Sequence, residues 1–181
     1  MGGVLSKLRH ILFGTPAKPF RLLLLGIDSA GKTTILGQLK TGERQPTTPT
    51  VGFSVDTIKT DKFELSIWDV GGQENLRTLW RQYYAGTAGV IFVVDAADIP
   101  RLPIVKEELH SLQHEVELKY SVWAIVANKQ DLPAAVNKEQ LIEELELSKL
   151  KCKYQVFEVT ATKGIGIEDV INWLSSNMEE I

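Results

Sequence analysis

The chain has 181 residues, 44% of them apolar, a net charge of −3 and one cysteine. That length suits one domain with a single core. The slight acidity argues against a nucleic-acid binder, Cys152 alone excludes an internal disulfide and fits a reducing compartment, and no apolar run reaches the roughly 18 residues of a membrane span.

In chain order, residues 1–17 stand apart. Val4, Leu8, Ile11 and Leu12 recur at helical spacing beside Leu5 and Phe13, while Ser6, Lys7, Arg9 and His10 occupy the other side. Gly14 suits a C-cap, and Thr15, Pro16 and Pro19 mark a linker. The chain therefore divides into an N-terminal amphipathic helix with linker, 1–17, and a domain, 18–181. No uninterrupted apolar core suggests a secretory signal. Met1-Gly2 with Ser6 matches M-G-x-x-x-[ST], which makes Gly2 a candidate for N-myristoylation. Two readings stay open: a short helix packed permanently on the domain, or a lipidated basic helix lying in a membrane interface. One myristoyl chain associates with a constant of only about 10⁴ M⁻¹, so chain and helix together suit reversible attachment.

Next comes the apolar run FRLLLL (20–25), read as a strand buried on both faces. It feeds GIDSAGKT (26–33), a fit to G-x-x-x-x-G-K-[ST], and then a predicted helix. Strand, glycine-rich loop and helix N-terminus aim backbone N–H groups and a positive dipole end at one anion. Lys32 would reach the β- and γ-phosphates of a nucleotide, and the Thr33 hydroxyl would hold Mg2+. The segment 41–50 reads as a loop rich in Thr, Pro and Gly. Strands are expected over 53–59 and 63–68, joined by a turn at 60–62. Asp69 closes the second, where a P-loop protein places its Mg2+-side carboxylate, and Gly71 allows close backbone approach to a γ-phosphate.

Residues 74–86 read as a loop and short helix, GVIFVVD (89–95) as a buried parallel strand, and 103–119 as a helix with proline in its first turn. VWAIVA (122–127) is a further buried strand leading into Asn128, Lys129, Gln130 and Asp131. Asn137 with Gln140 forms a capping box for a helix to about 147. A last strand, 154–159, precedes a last helix, 167–178. Strands alternating with helices imply a mainly parallel sheet with ligands at the strands' C-terminal ends.

N-K-x-D at 128–131, after a buried strand in a chain that already has a phosphate loop, resembles the guanine-recognition motif of GTP-binding proteins, a solvated polar turn being the alternative. Guanine offers N1–H and N2–H as parallel donors that the Asp131 carboxylate can accept together, and adenine offers no such pair. The Lys129 stem can lie along the base, Asn128 can tie this loop to the phosphate loop, and a backbone N–H near Ala161 could donate to guanine O6.

With these residues assembled, the chain resembles the small GTPases of the Arf and Arf-like (ADP-ribosylation factor) family from end to end. The resemblance rests on Gly2 and its amphipathic helix, Asp28 where Ras-like loops have glycine, the run WDVGGQ (68–73), and a C-terminus without a prenylation cysteine. Met1-Gly2-Gly3 and 161–164 resemble the Golgi Arf-like branch. Ile27, Ser29 and Thr160 depart from the commonest family wording.

The resemblance implies an α/β fold of the P-loop NTPase small-GTPase type: a six-stranded, mostly parallel sheet with one antiparallel strand and helices on both faces. It implies GTP or GDP and Mg2+ as cofactors. Asp28, Ser29, Ala30, Gly31, Lys32, Thr33, Thr34, Thr50, Gly72, Asn128, Lys129, Asp131 and Ala161 would bind nucleotide. Thr33 and Thr50 would ligate Mg2+, with Asp69 acting through water. Gly72 would donate to the γ-phosphate, and catalytic Gln73 would orient the attacking water. Segments 44–53 and 70–83 would be switches ordered by the γ-phosphate. Phe53, Trp68 and Tyr83 would meet effectors, with ordinary strand packing the alternative for Phe53 and Trp68. The partners implied are an exchange factor, an activating protein supplying an arginine, effectors of the GTP form and a membrane surface, around a monomer that is cytoplasmic and reversibly attached, at the Golgi. Two other classes stay open on the residues alone: a GTP-binding scaffold without turnover, and a P-loop kinase.

Overall fold

A computed structural model describes residues 18–42, 48, 50–59 and 63–178. The expected N-terminal helix with Gly2, most of residues 43–49, the expected turn at 60–62 and residues 179–181 lie outside the described residues. The strands are β1 (Lys18–Leu25), β2 (Phe53–Lys59), β3 (Phe63–Val70), β4 (Gly89–Asp95), β5 (Val122–Asn128) and β6 (Tyr154–Glu158). The helices are α1 (Lys32–Thr41), α2 (Glu74–Arg77), α3 (Leu102–Leu112), α4 (Lys138–Glu144) and α5 (Ile167–Asn177), with short 3-10 turns between them.

The strands form one sheet in the order β2-β3-β1-β4-β5-β6, in which only β2 runs antiparallel to its neighbour. All seven positions of β4 and of β5 are buried, as expected for strands covered on both faces. Alternate side chains go to opposite layers. Leu23, Leu25, Phe92, Val94 and Trp123 pack against Leu102, Val105 and Leu109 of α3 and Leu141 of α4. Leu22, Leu24, Ile91, Val93 and Val126 pack against Ile35 and Leu36 of α1 and Val170, Ile171 and Leu174 of α5.

The capping box of α4 is formed, with Gln140 N donating to Asn137 Oδ1 at 2.9 Å and Asn137 N to Gln140 Oε1 at 3.0 Å. The expected helix over 103–119 stops earlier, at Leu112, and a separate 3-10 turn follows at Val116–Leu118. At about 100° per residue, an unbroken helix would bring Val116 close to the inward line of Leu112 and turn Leu118 far from it. The chain does the opposite: Val116 is exposed and Leu118 buried. The helix over 137–147 is likewise shorter, Lys138–Glu144, with a 3-10 turn at Leu147–Lys149 that buries Leu147.

Because the five parallel strands point one way, the loops at 26–31, 71–73, 96–101, 129–131 and 160–164 all leave the same edge of the sheet. That edge carries the site.

Candidate functional site

The phosphate loop turns between β1 and α1 and points Lys32 back into itself. Lys32 is buried, and Nζ donates to Gly26 O at 2.8 Å and Ile27 O at 3.1 Å. Burial pushes its pKa down to about 8, against the opposing pull of Asp69 and then Asp28. An ammonium held by carbonyls in so dry a place can exchange those weak partners for anionic oxygens.

Beside it, three oxygen-bearing side chains from separate elements converge. Thr33 Oγ1 and Thr50 Oγ1 lie 3.1 Å apart and donate to Asp69 Oδ2 at 2.9 and 3.1 Å. Asp69 is fully buried, and its Oδ1 has no hydrogen-bond partner. Burial raises the Asp69 carboxyl above the ordinary range. A buried acid with an orphaned oxygen next to two hydroxyls is a hard-oxygen set of the kind that suits Mg2+. Among the described residues no cluster of three His, Cys, Asp or Glu exists.

The third wall is the backbone at 71–72. Gly71 N donates to Gly52 O, and Gly71 O accepts from Trp80 Nε1 at 2.9 Å. Gly72 O accepts from Asp28 N at 3.0 Å and Arg77 Nε at 3.1 Å, while Arg77 Nη1 is held by Glu108 of α3 at 2.8 Å. A Cβ on Gly72 would fall 2.3 Å from Gly26 O and 2.5 Å from Lys32 Nζ, so only glycine fits. Asp28, Lys32, Thr33, Thr50, Gly72 and Gln73 thus line one cavity of about 440 Å3.

A smaller hollow of about 130 Å3 adjoins it, lined by Asn128, Lys129, Asp131, Leu132, Ala161 and Thr162 and sharing Gly31, Thr34, Lys129 and Thr162 with the first. Asn128 is buried and bridges two loops: Nδ2 donates to Ala30 O at 2.8 Å, and Oδ1 accepts from Ala161 N at 3.1 Å. Gly31 has φ of +100°, and a Cβ there would meet Asn128 Nδ2 at 2.3 Å, so the bridge needs glycine. The Ala161 N–H expected to face a base is therefore already paired, since a buried donor takes the nearest acceptor. Lys129 sits at φ +67° with Nζ 2.5 Å from Asp95 Oδ2. Ser29 at the loop tip and Asp131 at the mouth are exposed.

The three aromatic residues form one surface. Phe53 stacks on Trp68 at 5.4 Å between centroids, and Tyr83 closes on both at 5.0 and 5.8 Å. Phe53 is 49% exposed, with Val51 and Val55 exposed beside it, which is more apolar surface than strand packing requires. Beneath lies Arg21, its Cζ 3.9 Å from the Trp68 ring and Nη2 donating to Tyr83 O at 2.8 Å.

Every expected phosphate and base residue among the described residues thus comes to one edge, and Gly2 lies outside them. Sequence reasoning missed Arg21, Arg77, Trp80, Asp95 and Arg101. Nothing local marks the arginines: Arg77 and Glu108 are 31 positions apart, Arg101 and Asp28 are 73. Only Asp95, closing an apolar strand as Asp69 does, carried a readable signal. The Cys152 thiol is half-buried and pushed up to about 11, which leaves it inert at neutral pH.

A sequence model of the ADP-ribosylation factor family matches residues 5–178. The chain belongs to this family. It is 42% identical over 180 residues to ADP-ribosylation factor 1 of Brassica rapa subsp. pekinensis, spanning 99% of this chain and 98% of that one. ADP-ribosylation factor 3 of Arabidopsis thaliana matches to the same extent. The Arl6 BBS3 small GTPase of Trypanosoma brucei, solved with the nucleotide analogue GppNp, superposes with a TM-score of 0.83 at 31% identity, over 88% of this chain and 96% of that one. This ADP-ribosylation factor family member is a small GTPase that binds GTP and GDP with Mg2+ and hydrolyses GTP, the family's role being that of a molecular switch in trafficking.

One consequence follows from Lys32. Phosphate beside an ammonium favours its charged form, so the bound protein keeps a proton that the free protein loses above about pH 8. If Lys32 holds the phosphates, its protonated form is the one that binds. Nucleotide affinity should therefore fall as pH rises through about 8, by up to about tenfold per pH unit. Fluorescent-nucleotide titrations between about pH 7 and 9.5 would show it, and a flat profile would contradict it.

Proposed function

We propose that the phosphate cavity and the aromatic surface are the two ends of a GTP-dependent membrane switch. The observation that carries this is the convergence of Thr33, Thr50 and Asp69 beside Lys32, with Gly72 against the phosphate loop. Thr50 belongs to the loop before β2 and Gly72 to the loop after β3, so ligands of the terminal phosphate are drawn from the two segments flanking the β2–β3 hairpin. Lys32 and the N–H groups of 29–33 hold the phosphates, with Thr34 beside them. The Thr33 and Thr50 hydroxyls would be the protein's ligands to Mg2+, with Asp69 acting through water. Bound Mg2+ supplies neutralisation of phosphate charge. Gly72 donates its N–H to the γ-phosphate, and Gln73 orients water for in-line attack. Asp131 accepts the two guanine donors, the Lys129 stem covers the base, Asn128 fastens the base loop, and the Ala161 N–H is shared between Asn128 and guanine O6.

The hairpin carries Phe53 and Trp68, so a change at Thr50 and Gly72 reaches the surface that effectors would read. Residues 1–17, acylated at Gly2, complete the device as a reversible anchor outside the 18–181 domain, with the Golgi as destination. An exchange factor, an activating protein bringing an arginine, and effectors of the GTP form are its partners, and it works as a cytoplasmic monomer.

Liposome co-sedimentation tests the coupling. The myristoylated protein should bind neutral and mildly acidic vesicles with GppNHp and much less with GDP, and a Gly2→Ala variant should stay in the supernatant in both states. Equal binding in both nucleotide states would break the coupling while leaving the GTPase assignment in place.

A further inference from the structure

Asp28 puts a carboxylate on the wall of a cavity built for phosphate, beside Lys32, Thr50, Gly72 and Gln73. Its field reaches the Lys32 ammonium, whose charged form it favours. A bare carboxylate at that place repels a triphosphate more than a diphosphate, because the extra phosphoryl group adds negative charge at the end nearest Lys32.

The carboxylate is not bare. Arg101 Nη1 lies 3.2 Å from both Asp28 oxygens, while Arg101 Nε donates to Asp98 Oδ2 at 2.5 Å. Arg101 ends the 3-10 turn Ile99–Arg101 and leads directly into α3, between Pro100 and Pro103, whose locked φ angles stiffen the segment. Asp98 thus holds one edge of the guanidinium and leaves another for Asp28. With Arg101 31% and Asp28 44% exposed, the pair adds little to stability. Its position is what matters: it ties Asp28, on the cavity wall, to the start of α3.

We propose that Arg101 is a positioning residue for triphosphate binding: by pairing with Asp28 it turns that carboxylate aside, offsets its charge, and sets the ratio of GTP to GDP affinity. The proposal rests on reading Lys32 and Gly72 as terminal-phosphate contacts.

The experiment is to measure dissociation constants for GppNHp and GDP, each with Mg2+, on the full chain. The variants are Arg101→Gln, Arg101→Lys, Asp28→Asn and the double Arg101→Gln/Asp28→Asn, with melting curves to show that each folds. Arg101→Gln should lower the ratio of GppNHp to GDP affinity by about tenfold, and Arg101→Lys by less. Asp28→Asn should raise the ratio, and the double variant should recover at least the wild-type value. A merely structural role would weaken both nucleotides alike and would not be rescued by removing the carboxylate. An unchanged ratio in Arg101→Gln, or a double variant as poor as the single, would overturn the proposal. Failure of the wild type to bind either nucleotide would instead overturn the reading of the site itself.

Discussion

Replacing Asp131 by Asn should abolish useful affinity for GTP and create affinity for xanthosine triphosphate. A site built to pair a specific donor discriminates by about 10⁴–10⁵ when that pairing fails, because its own polar groups are left unmatched. Asparagine keeps the size of aspartate but offers an amide N–H₂ where a carboxylate oxygen accepted, and xanthine has a carbonyl where guanine has its amino group. Asp131 is exposed, so the exchange should leave the fold intact. Competition between the two triphosphates for the variant reads the outcome directly. A variant that still preferred GTP would remove Asp131 from the base site.

The second large effect is expected at Gln73. It stands at the N-cap of the short helix α2 with extended backbone and lines the same cavity as Lys32. Leucine there keeps the bulk and removes both the donor and the acceptor that orient water. In the presence of an Arf-family activating domain, the stimulation of about 10³–10⁵ that an arginine finger provides should vanish in Gln73→Leu, with nucleotide affinity changed little. Single-turnover hydrolysis separates the two quantities. Full stimulation in the variant would reassign the water-positioning role. No arginine among the described residues stands free at the terminal-phosphate end: Arg77 is occupied by Gly72 O and Glu108, and Arg101 by Asp28 and Asp98. Intrinsic hydrolysis should accordingly be slow.

Much of this was readable from residue order because phosphate and base recognition sit in short contiguous words. G-x-x-x-x-G-K-T and N-K-x-D each carry their chemistry within a few residues, and each follows an apolar strand whose parallel setting dictates where it ends up. The hairpin partner of β2 and the capping box at Asn137 were local signals too, and both formed as expected. What escaped was long-range. The end of α3 depends on Leu118 finding the core, a demand of packing that helical periodicity around Leu109 and Leu112 does not reveal. The arginines at 21, 77 and 101 are ordinary polar residues until the sheet order sets them beside Trp68, Gly72 and Asp28. Charge partners separated by tens of residues have no spacing to read.

Asn128 gives the nucleotide pocket a mechanical property. One buried amide fastens the loop under the phosphates, through Ala30 O, to the loop beside the base, through Ala161 N. Those two loops cannot loosen one at a time without leaving a buried polar group unpaired, at a cost of about 1–3 kcal/mol. Release of the nucleotide should therefore loosen both loops together. A catalyst of exchange need press on only one end. Disturbing the phosphate loop should pull on Ala30 and, through Asn128, loosen the loop at Ala161 as well.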